Sequence, residues 1–246
     1  MNFKTIYRSL SFHRALHKKI TTNTLSSKNL KSSSKQWLAR QLSDPYVEKA
    51  RTMNLRCRSA FKLIEMDDRF KFLAPGQIVI DCGASPGSWT QVAVQRVNAN
   101  QSQTSQPVGK VFAIDKQQIF PIQATTTFGN MDFTLDESQN ILKTALNNLK
   151  ANVVLSDMAP SATGISSLDT ENIINLCYSV LRFAVQMTQV GGTILVKLWQ
   201  CGETKQLETD IGRYYKMVRI VKPNSSRADS AEIFILGREF KGLKVS

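Results

Sequence analysis

Three charged residues at the ends of predicted strands are the candidates for chemistry in this sequence. Asp157 ends the segment VVLSD, Lys197 ends the segment TILVK, and Glu232 begins the segment EIFIL. A lysine after such a strand is expected to be partly desolvated, and a buried ammonium needs carboxylate partners. Asp157 and Glu232 are therefore predicted to pair with Lys197. The alternative is a structural ion-pair cluster that only joins strands at the sheet edge.

A second lysine, Lys62, lies in a basic segment that precedes the first predicted strand. Between Lys49 and Lys62 there are five basic residues and no acidic ones. Contacts to phosphate groups require a patch of this kind. Considered alone, the same segment is better interpreted as a solvated basic helix face.

A glycine-rich turn follows the first predicted strand, in the order Asp81-Cys82-Gly83-Ala84-Ser85-Pro86-Gly87-Ser88-Trp89. A strand, such a turn and a helix start form a ligand cradle at the carboxyl edge of a sheet. The dinucleotide fingerprint GxGxxG is absent, because position 85 is Ser where the second Gly would stand. Pro86 also has no backbone N–H to donate to a phosphate. The turn is therefore unfavourable for an NAD-dependent oxidoreductase. It suits a ligand without a diphosphate, and S-adenosylmethionine fits.

Two further carboxylates extend this predicted cofactor site. Asp115 ends the next predicted strand and is placed to accept hydrogen bonds from ribose hydroxyls, and Asp132 could lie beside the adenine. Each carboxylate alone could simply cap a turn. The ordered set Asp81, Gly83, Gly87, Asp115 and Asp132 favours a cofactor site.

Short apolar segments alternate with helical patterns along the chain. The predicted strands are Gln77–Asp81, Lys110–Asp115, Asn152–Asp157, Gly192–Lys197, Met217–Val221 and Glu232–Leu236, and the predicted helices cover about 57–68, 89–97, 136–149, 171–189 and 204–215. The alternation predicts an α/β fold with a doubly wound, mostly parallel sheet. The loop 222–231 is too short for a parallel crossover. The last strand is therefore predicted to be antiparallel.

Composition excludes several classes of protein and of site. The chain has 246 residues and is 42% hydrophobic, which is enough for a folded core. We find no apolar run near the roughly 20 residues that span a bilayer, so membrane insertion is not expected. Its two histidines, His13 and His17, precede the predicted domain, and its four cysteines are widely spaced. No histidine-based hydrolase and no metal site is therefore predicted.

The positive charge is concentrated at the start of the chain. Residues 1–43 hold nine of the 32 basic residues and no acidic ones, so they supply +9 of the net +13. Residues 1–35 are predicted to be a mitochondrial transit peptide, because basic residues alternate there with apolar ones at helical spacing. A basic arm or RNA-binding tail is the alternative. Residues 36–246 are predicted to form a single domain with a basic N-terminal helical region.

Together these segments resemble the FtsJ/RrmJ family of ribose 2′-O-methyltransferases. The matching pieces are RCRSAFKL, DCGASPGSW, DMAP, GGTILVKLW and SAEIFIL, which extend over about residues 44–237. The resemblance implies the Rossmann-like fold of S-adenosylmethionine-dependent methyltransferases. It implies a catalytic tetrad of Lys62, Asp157, Lys197 and Glu232, and cofactor contacts from Gly83, Pro86, Gly87, Ser88, Trp89, Asp115, Asp132 and Asp157. Ser85 departs from the Ala that is common in the family.

The resemblance also supplies a substrate class and a compartment. With the transit-like N-terminus, it implies a mitochondrial matrix enzyme that methylates a uridine ribose of ribosomal RNA within a large-subunit particle. Such a transfer needs no metal, since the sulfonium already activates the methyl group. Lys197 would act either as a base, if it is neutral, or as a charged group that orients the oxygen and stabilises developing alkoxide. Lys62 would help place the ribose.

Two alternatives stay open at this stage. One is a transfer-RNA ribose 2′-O-methyltransferase, and the other is a ribosome-assembly factor that acts without catalysis. The intact set of four charged residues argues against the second. Nothing in the sequence identifies an obligate protein partner.

Overall fold

The computed structural model describes residues 43–243. The predicted transit peptide and both histidines lie outside the described residues. The chain divides after Arg58 into two compact units. Within residues 43–243, no helix is long and apolar enough to cross a bilayer.

The first unit contributes one described helix, α1 (Pro45–Thr52). Asp44 caps it by accepting a hydrogen bond from the Tyr46 N–H (3.0 Å), and proline is favoured at the first helical position. The Arg58 guanidinium lies 2.8 Å from the Asp44 carboxylate. These contacts give the first unit a defined helix start.

The second unit contains the remaining described elements. In chain order they are α2 (Ala60–Phe70), β1 (Ile78–Cys82), α3 (Ser88–Arg96), β2 (Lys110–Ile114), β3 (Thr126–Phe128), α4 (Asp136–Leu146), β4 (Ala151–Ser156), α5 (Ser166–Met187), β5 (Thr188–Trp199), α6 (Thr204–Tyr214), β6 (Tyr215–Val221) and β7 (Glu232–Phe240).

A seven-stranded sheet with the order β3-β2-β1-β4-β5-β7-β6 forms the centre of this unit. Strands β1 to β5 pair in parallel, whereas β7 lies antiparallel between β5 and β6. The predicted α/β class, the mostly parallel sheet and the antiparallel last strand are confirmed.

The strand order reverses between β1 and β4. From β1 the chain winds outward through β2 and β3, then returns to β4 and continues to β5. Right-handed crossovers on the two sides of such a reversal place helices on both faces of the sheet. In open α/β sheets, ligands bind beyond the carboxyl ends of the strands at this reversal. Here β1 leads into Gly83 and β4 leads into Asp157.

Buried apolar side chains hold the central strands in place. Ile80, Val154 and Ile194 are completely buried, and Ile173 and Phe183 of α5 pack in the same core. The central strands are apolar on both faces, which is the pattern of a parallel sheet covered on both sides. The strand ends that carry the charged residues therefore rest on a rigid support.

The elements differ from the predictions mainly in two elements and three boundaries. The short strand β3 was not predicted, and α1 was predicted only as part of a basic N-terminal helical region. Strand β7 extends to Phe240 rather than to Leu236. Helix α5 begins at Ser166 rather than near 171 and ends at Met187, and β5 extends back to Thr188. The early start of α5 follows from Asp169, whose carboxylate accepts hydrogen bonds from the N–H groups of Thr163 and Gly164 and so orders the preceding loop.

Candidate active site

The four charged residues form two ion pairs rather than one cluster around Lys197. Lys197 Nζ lies 2.8 Å from Asp157 Oδ1 and donates a hydrogen bond to the Asp157 carbonyl oxygen. Lys62 Nζ lies 2.6 Å from Glu232 Oε2. The sequence predicted that both carboxylates would pair with Lys197. Asp157 does so, whereas Glu232 pairs with Lys62.

Strand register explains how these side chains meet. Ser156 pairs with Val196 on the neighbouring parallel strand. The next residues, Asp157 just after β4 and Lys197 still within β5, therefore lie side by side. Glu232 pairs with Trp199 across the antiparallel β5–β7 ladder. Residues two apart on a strand share a face, so Glu232 is the diagonal neighbour of Lys197. The backward direction of β7 thus brings its first residue to the same edge.

Lys62 reaches this edge from the first turn of α2. Its ammonium lies 5.9 Å from the ring centroid of Phe234 on β7. The Trp89 indole packs on the same ring, with centroids 5.7 Å apart. The Trp89 Nε1–H donates to the Ser59 carbonyl oxygen (2.8 Å), which ties the start of α3 to the start of α2.

The Lys62–Glu232 pair is nearly inaccessible to water. Each side chain is 11% exposed. Burial alone would raise the pKa of Glu232. The charge and hydrogen bond of Lys62 lower this pKa, and Lys197 and Ser226 lower it further, so the pKa of Glu232 lies below its ordinary value. The carboxylate is therefore ionised near neutral pH, and Lys62 is held as its counter-ion.

A residue that the sequence analysis missed completes this pair. The Ser226 hydroxyl donates to Glu232 Oε1 (2.8 Å), on the oxygen that Lys62 leaves open. Ser226 lies in the polar loop between β6 and β7. No periodicity marks a serine in such a loop, so only the folded geometry identifies it.

Beside the ion pairs, a cleft of about 570 Å³ opens at the carboxyl ends of β1, β2 and β4. Its volume falls within the usual range for small-molecule sites. Its wall is formed by Gly83, Ser85, Asp115, Lys116, Gln117, Asp132, Phe133, Thr134, Asp157, Met158, Ala159, Pro160, Ser161, Asn172, Asn175, Leu176, Ser179 and Arg182. The last five lie on one face of α5, which the sequence analysis did not connect with the site.

Gly83 lies where no other residue fits. Its φ is +79°, and an added Cβ would lie 2.1 Å from Met158 Cγ. A glycine here lets the loops after β1 and β4 approach each other. The predicted position of Gly83 at the cleft is therefore explained by close backbone approach.

Asp115 both caps a turn and lines the cleft. Its two carboxylate oxygens accept the N–H groups of Ser85 (2.9 Å) and Gln117 (2.6 Å). An ionised carboxylate has about four acceptor sites, so hydroxyl groups in the cleft still find acceptors. The bond from Ser85 fixes the glycine-rich turn to the end of β2.

Asp132 and Asp81 have contrasting surroundings. Thr134 donates two hydrogen bonds to Asp132 Oδ1, and these lower the pKa of this exposed carboxyl. Asp81 is completely buried, and burial raises its pKa to about 7. The Thr90 hydroxyl donates to Asp81 Oδ2 (2.6 Å), while Oδ1 has no hydrogen-bond partner among the described residues.

The other predicted cofactor residues, Pro86, Gly87, Ser88 and Trp89, are not part of the cleft wall. Gly87 has φ +110° and begins α3. Ser88 and Trp89 are buried, each about 2% exposed. Within the described structure these residues form the end of the turn and the start of α3, outside the cleft wall. Their direct contact with a cofactor stays a prediction.

Comparison with known proteins adds a family. The family model for FtsJ-like methyltransferases matches residues 55–240, which include both ion pairs and the cleft. The chain belongs to the FtsJ-like methyltransferase family.

Similar members of this family come from animals and bacteria. The chain is 52% identical over 236 residues to rRNA methyltransferase 2, mitochondrial, of Drosophila melanogaster, and the match covers 94% of each chain. It is 41% identical over 211 residues to ribosomal RNA large subunit methyltransferase E of Roseobacter denitrificans, over 86% of this chain and 87% of the relative. A solved ribosomal RNA methyltransferase from Plasmodium falciparum superposes with a TM-score of 0.66 at 30% identity, over 76% of this chain and 98% of the other.

Membership in a methyltransferase family implies S-adenosylmethionine as the methyl donor, and the cleft fits this group. The Asp115 and Asp132 carboxylates offer acceptors for hydroxyl and amino groups along the wall. The partnerless Asp81 oxygen offers a further acceptor beneath the glycine-rich turn. Among residues 43–243 there is no group of three His, Cys, Asp or Glu that could hold a metal ion.

Proposed function

We propose that this protein transfers a methyl group from S-adenosylmethionine to a ribose 2′-hydroxyl of large-subunit ribosomal RNA in mitochondria. The observation that carries the proposal is the Lys197–Asp157 pair at the edge of the cofactor cleft, since Asp157 belongs to both. A lysine beside the methyl donor can act on a substrate oxygen that approaches the methyl group from the side opposite to sulfur.

The chain's own residues have distinct parts in this reaction. When bound, S-adenosylmethionine supplies an electrophilic methyl group on a sulfonium sulfur. A hydroxyl electron pair would form the new carbon–oxygen bond as the carbon–sulfur bond breaks and leaves its electron pair on sulfur, and the hydroxyl proton would pass to water. Asp115 and Asp132 would hold the donor, with backbone groups of the turn from Gly83 to Trp89. Asp157 would orient Lys197 towards the hydroxyl.

The geometry favours a charged Lys197 over a neutral base. An ammonium group has three N–H donors, and the two contacts seen within the described residues both go to Asp157. One donor is therefore available to orient the ribose oxygen and to stabilise negative charge as the proton leaves. Lys62 would hold the ribose or its phosphate in line, the arrangement on which rate depends.

The names of the relatives support the substrate and the compartment. The similar proteins from fly, Roseobacter and Plasmodium are all called ribosomal RNA methyltransferases, and the fly protein is called mitochondrial. We extend this to a uridine within a large-subunit particle in the matrix, with residues 1–35 as the import signal.

The test is a map of ribose methylation across organellar and cytosolic RNA, with and without the protein. One site in mitochondrial large-subunit RNA should lose its methyl group when the protein is removed and regain it with the wild type. A lost site in transfer RNA would instead establish the transfer-RNA enzyme. Normal methylation with defective ribosome assembly would establish the non-catalytic factor.

A further inference from the structure

The β6–β7 loop holds a buried hydroxyl against one carboxylate of the site. Ser226 Oγ lies 2.8 Å from Glu232 Oε1, while Lys62 Nζ lies 2.6 Å from Oε2. Counted over the whole residue, Ser226 is 7% exposed and Glu232 is 9% exposed. Each carboxylate oxygen thus has its own donor, one from the loop and one from α2.

Two donors on opposite oxygens define the plane of a carboxylate. The last torsion of a glutamate side chain is broad and has no sharp rotamer, so an ion pair alone lets the carboxylate turn. The Ser226 hydroxyl removes this freedom, because turning the group would break a hydrogen bond to a buried charge. The direction in which Oε2 faces Lys62 is therefore fixed from the loop.

The loop is itself anchored to the elements that carry the pair. The Ser225 N–H donates to Glu65 Oε2 (3.1 Å), and Glu65 lies one turn after Lys62 on α2. The Ser226 N–H donates to the Pro223 carbonyl oxygen (3.0 Å). At the end of the loop, the Ser230 hydroxyl accepts the Glu232 N–H (3.2 Å). These contacts therefore hold the Ser226 hydroxyl in a fixed position relative to both Lys62 and Glu232.

We propose that Ser226 is a positioning residue for methyl transfer, which holds Glu232 so that Lys62 is directed at the substrate ribose. This inference rests on the proposed function and adds a role for the β6–β7 loop. Ser226 is not part of the cleft wall, and its hydroxyl bonds to Glu232, so its expected effect is on the transfer rate and not on cofactor affinity. The hydroxyl is also one of the causes that lower the pKa of Glu232.

The rate test uses the full chain with three single variants. Single-turnover methyl transfer to a large-subunit RNA fragment, at saturating S-adenosylmethionine, should fall roughly ten- to hundredfold in Ser226→Ala. Ser226→Thr keeps the hydroxyl and should retain most of the rate. Asn224→Ala changes an exposed residue of the same loop and should match the wild type. A wild-type rate in Ser226→Ala, or a matching loss of cofactor affinity, would overturn the proposal.

A second arm separates positioning from a general packing defect. In a Glu232→Gln background, Ser226→Ala should cost no further rate, because the carboxylate through which it acts is gone. The same fold loss in both backgrounds would contradict action through Glu232.

The third arm tests the contact between Ser226 and Glu232 without an activity measurement. Carbon-13 NMR of the Glu232 carboxyl should show a higher pKa in Ser226→Ala than in the wild type, and an unchanged pKa would refute the proposed contact. If the wild type transfers no methyl group to RNA, the proposed function fails, while this titration still decides whether Ser226 governs Glu232.

Discussion

Lys197 is the residue whose removal should affect chemistry alone. Its side chain contacts Asp157 but is not itself part of the cleft wall. Lys197→Ala should slow single-turnover methyl transfer by at least about a hundredfold and leave the Kd for S-adenosylmethionine nearly unchanged. Lys197→Arg should also be slow, because the guanidinium is larger and planar. A near-normal rate for Lys197→Ala at saturating RNA would make the pair purely structural.

Asp115 should have the opposite signature. Its carboxylate holds the Ser85 and Gln117 N–H groups and faces the cleft. Asp115→Ala should weaken S-adenosylmethionine binding by roughly 1.5–3 kcal/mol, the value of a hydrogen bond to a charged group. Calorimetric titration of wild type and variant measures this directly. Equal affinities would remove Asp115 from the cofactor site.

Asp81 gives the protein a pH-dependent stability. Its pKa rises from 3.8 to about 7 on folding, mainly because of burial, so the folded state keeps a proton that the unfolded chain releases. The contribution of Asp81 to the free energy of unfolding therefore falls as pH rises from about 4 to about 7. Asp81→Asn cannot ionise, so it should gain up to about 4 kcal/mol on the wild type across this range. Urea unfolding of both proteins at each end of the range tests the difference, and parallel curves would refute it.

At the scale of elements, the loop after β1 depends on one glycine. Gly83→Ala would place a methyl group against Met158 in a left-handed backbone conformation. The expected cost is about 1–3 kcal/mol of stability, together with weaker cofactor binding. Gly191→Ala is the matched control, because Gly191 also has a positive φ (+83°) and nothing lies within 4 Å of its added Cβ. Similar urea midpoints for the two variants would contradict the proposed close approach.

The elements also show which parts of the fold are encoded locally. Apolar segments between turns predicted six of the strands, and the length of the 222–231 loop predicted the reversed β7. The strand β3 has only three residues, Thr126–Phe128, and α1 is polar, so neither has an apolar period long enough to detect. The extension of β5 to Thr188 depends on its pairing with Ala151, a non-local contact.

The candidate site, like the fold, could be predicted from the sequence only in part. The charged residues could be predicted because each adjoins a strand end or a basic segment. Their pairing could not, because it depends on the diagonal register of Glu232 across from Trp199 and on the reach of Lys62 from α2. Ser226 could not be predicted either, since its partner is chosen by the fold of a polar loop.

At the scale of the whole molecule, most of the net positive charge lies in and just after the predicted import signal. The first 43 residues carry +9 and the other 203 carry only +4. A reporter fused to residues 1–35 should enter mitochondria, and a chain that lacks them should still methylate RNA in vitro. Fluorescence of the fusion in cells tests import. A cytosolic reporter, together with weaker RNA binding by the shortened chain, would identify a basic RNA-binding arm instead.

The position of β7 makes the last described strand the one that completes the site during folding. β7 follows β5 and β6 along the chain, yet it lies between them in the sheet. Among the described strands, β6 pairs with β7 alone, and the counter-ion of Lys62, Glu232, is the first residue of β7. The strands β1, β2 and β4, which border the cofactor cleft, do not pair with β7. The set of four charged groups is therefore complete only when β7 has inserted between β5 and β6, a step that assembly of the cleft does not require.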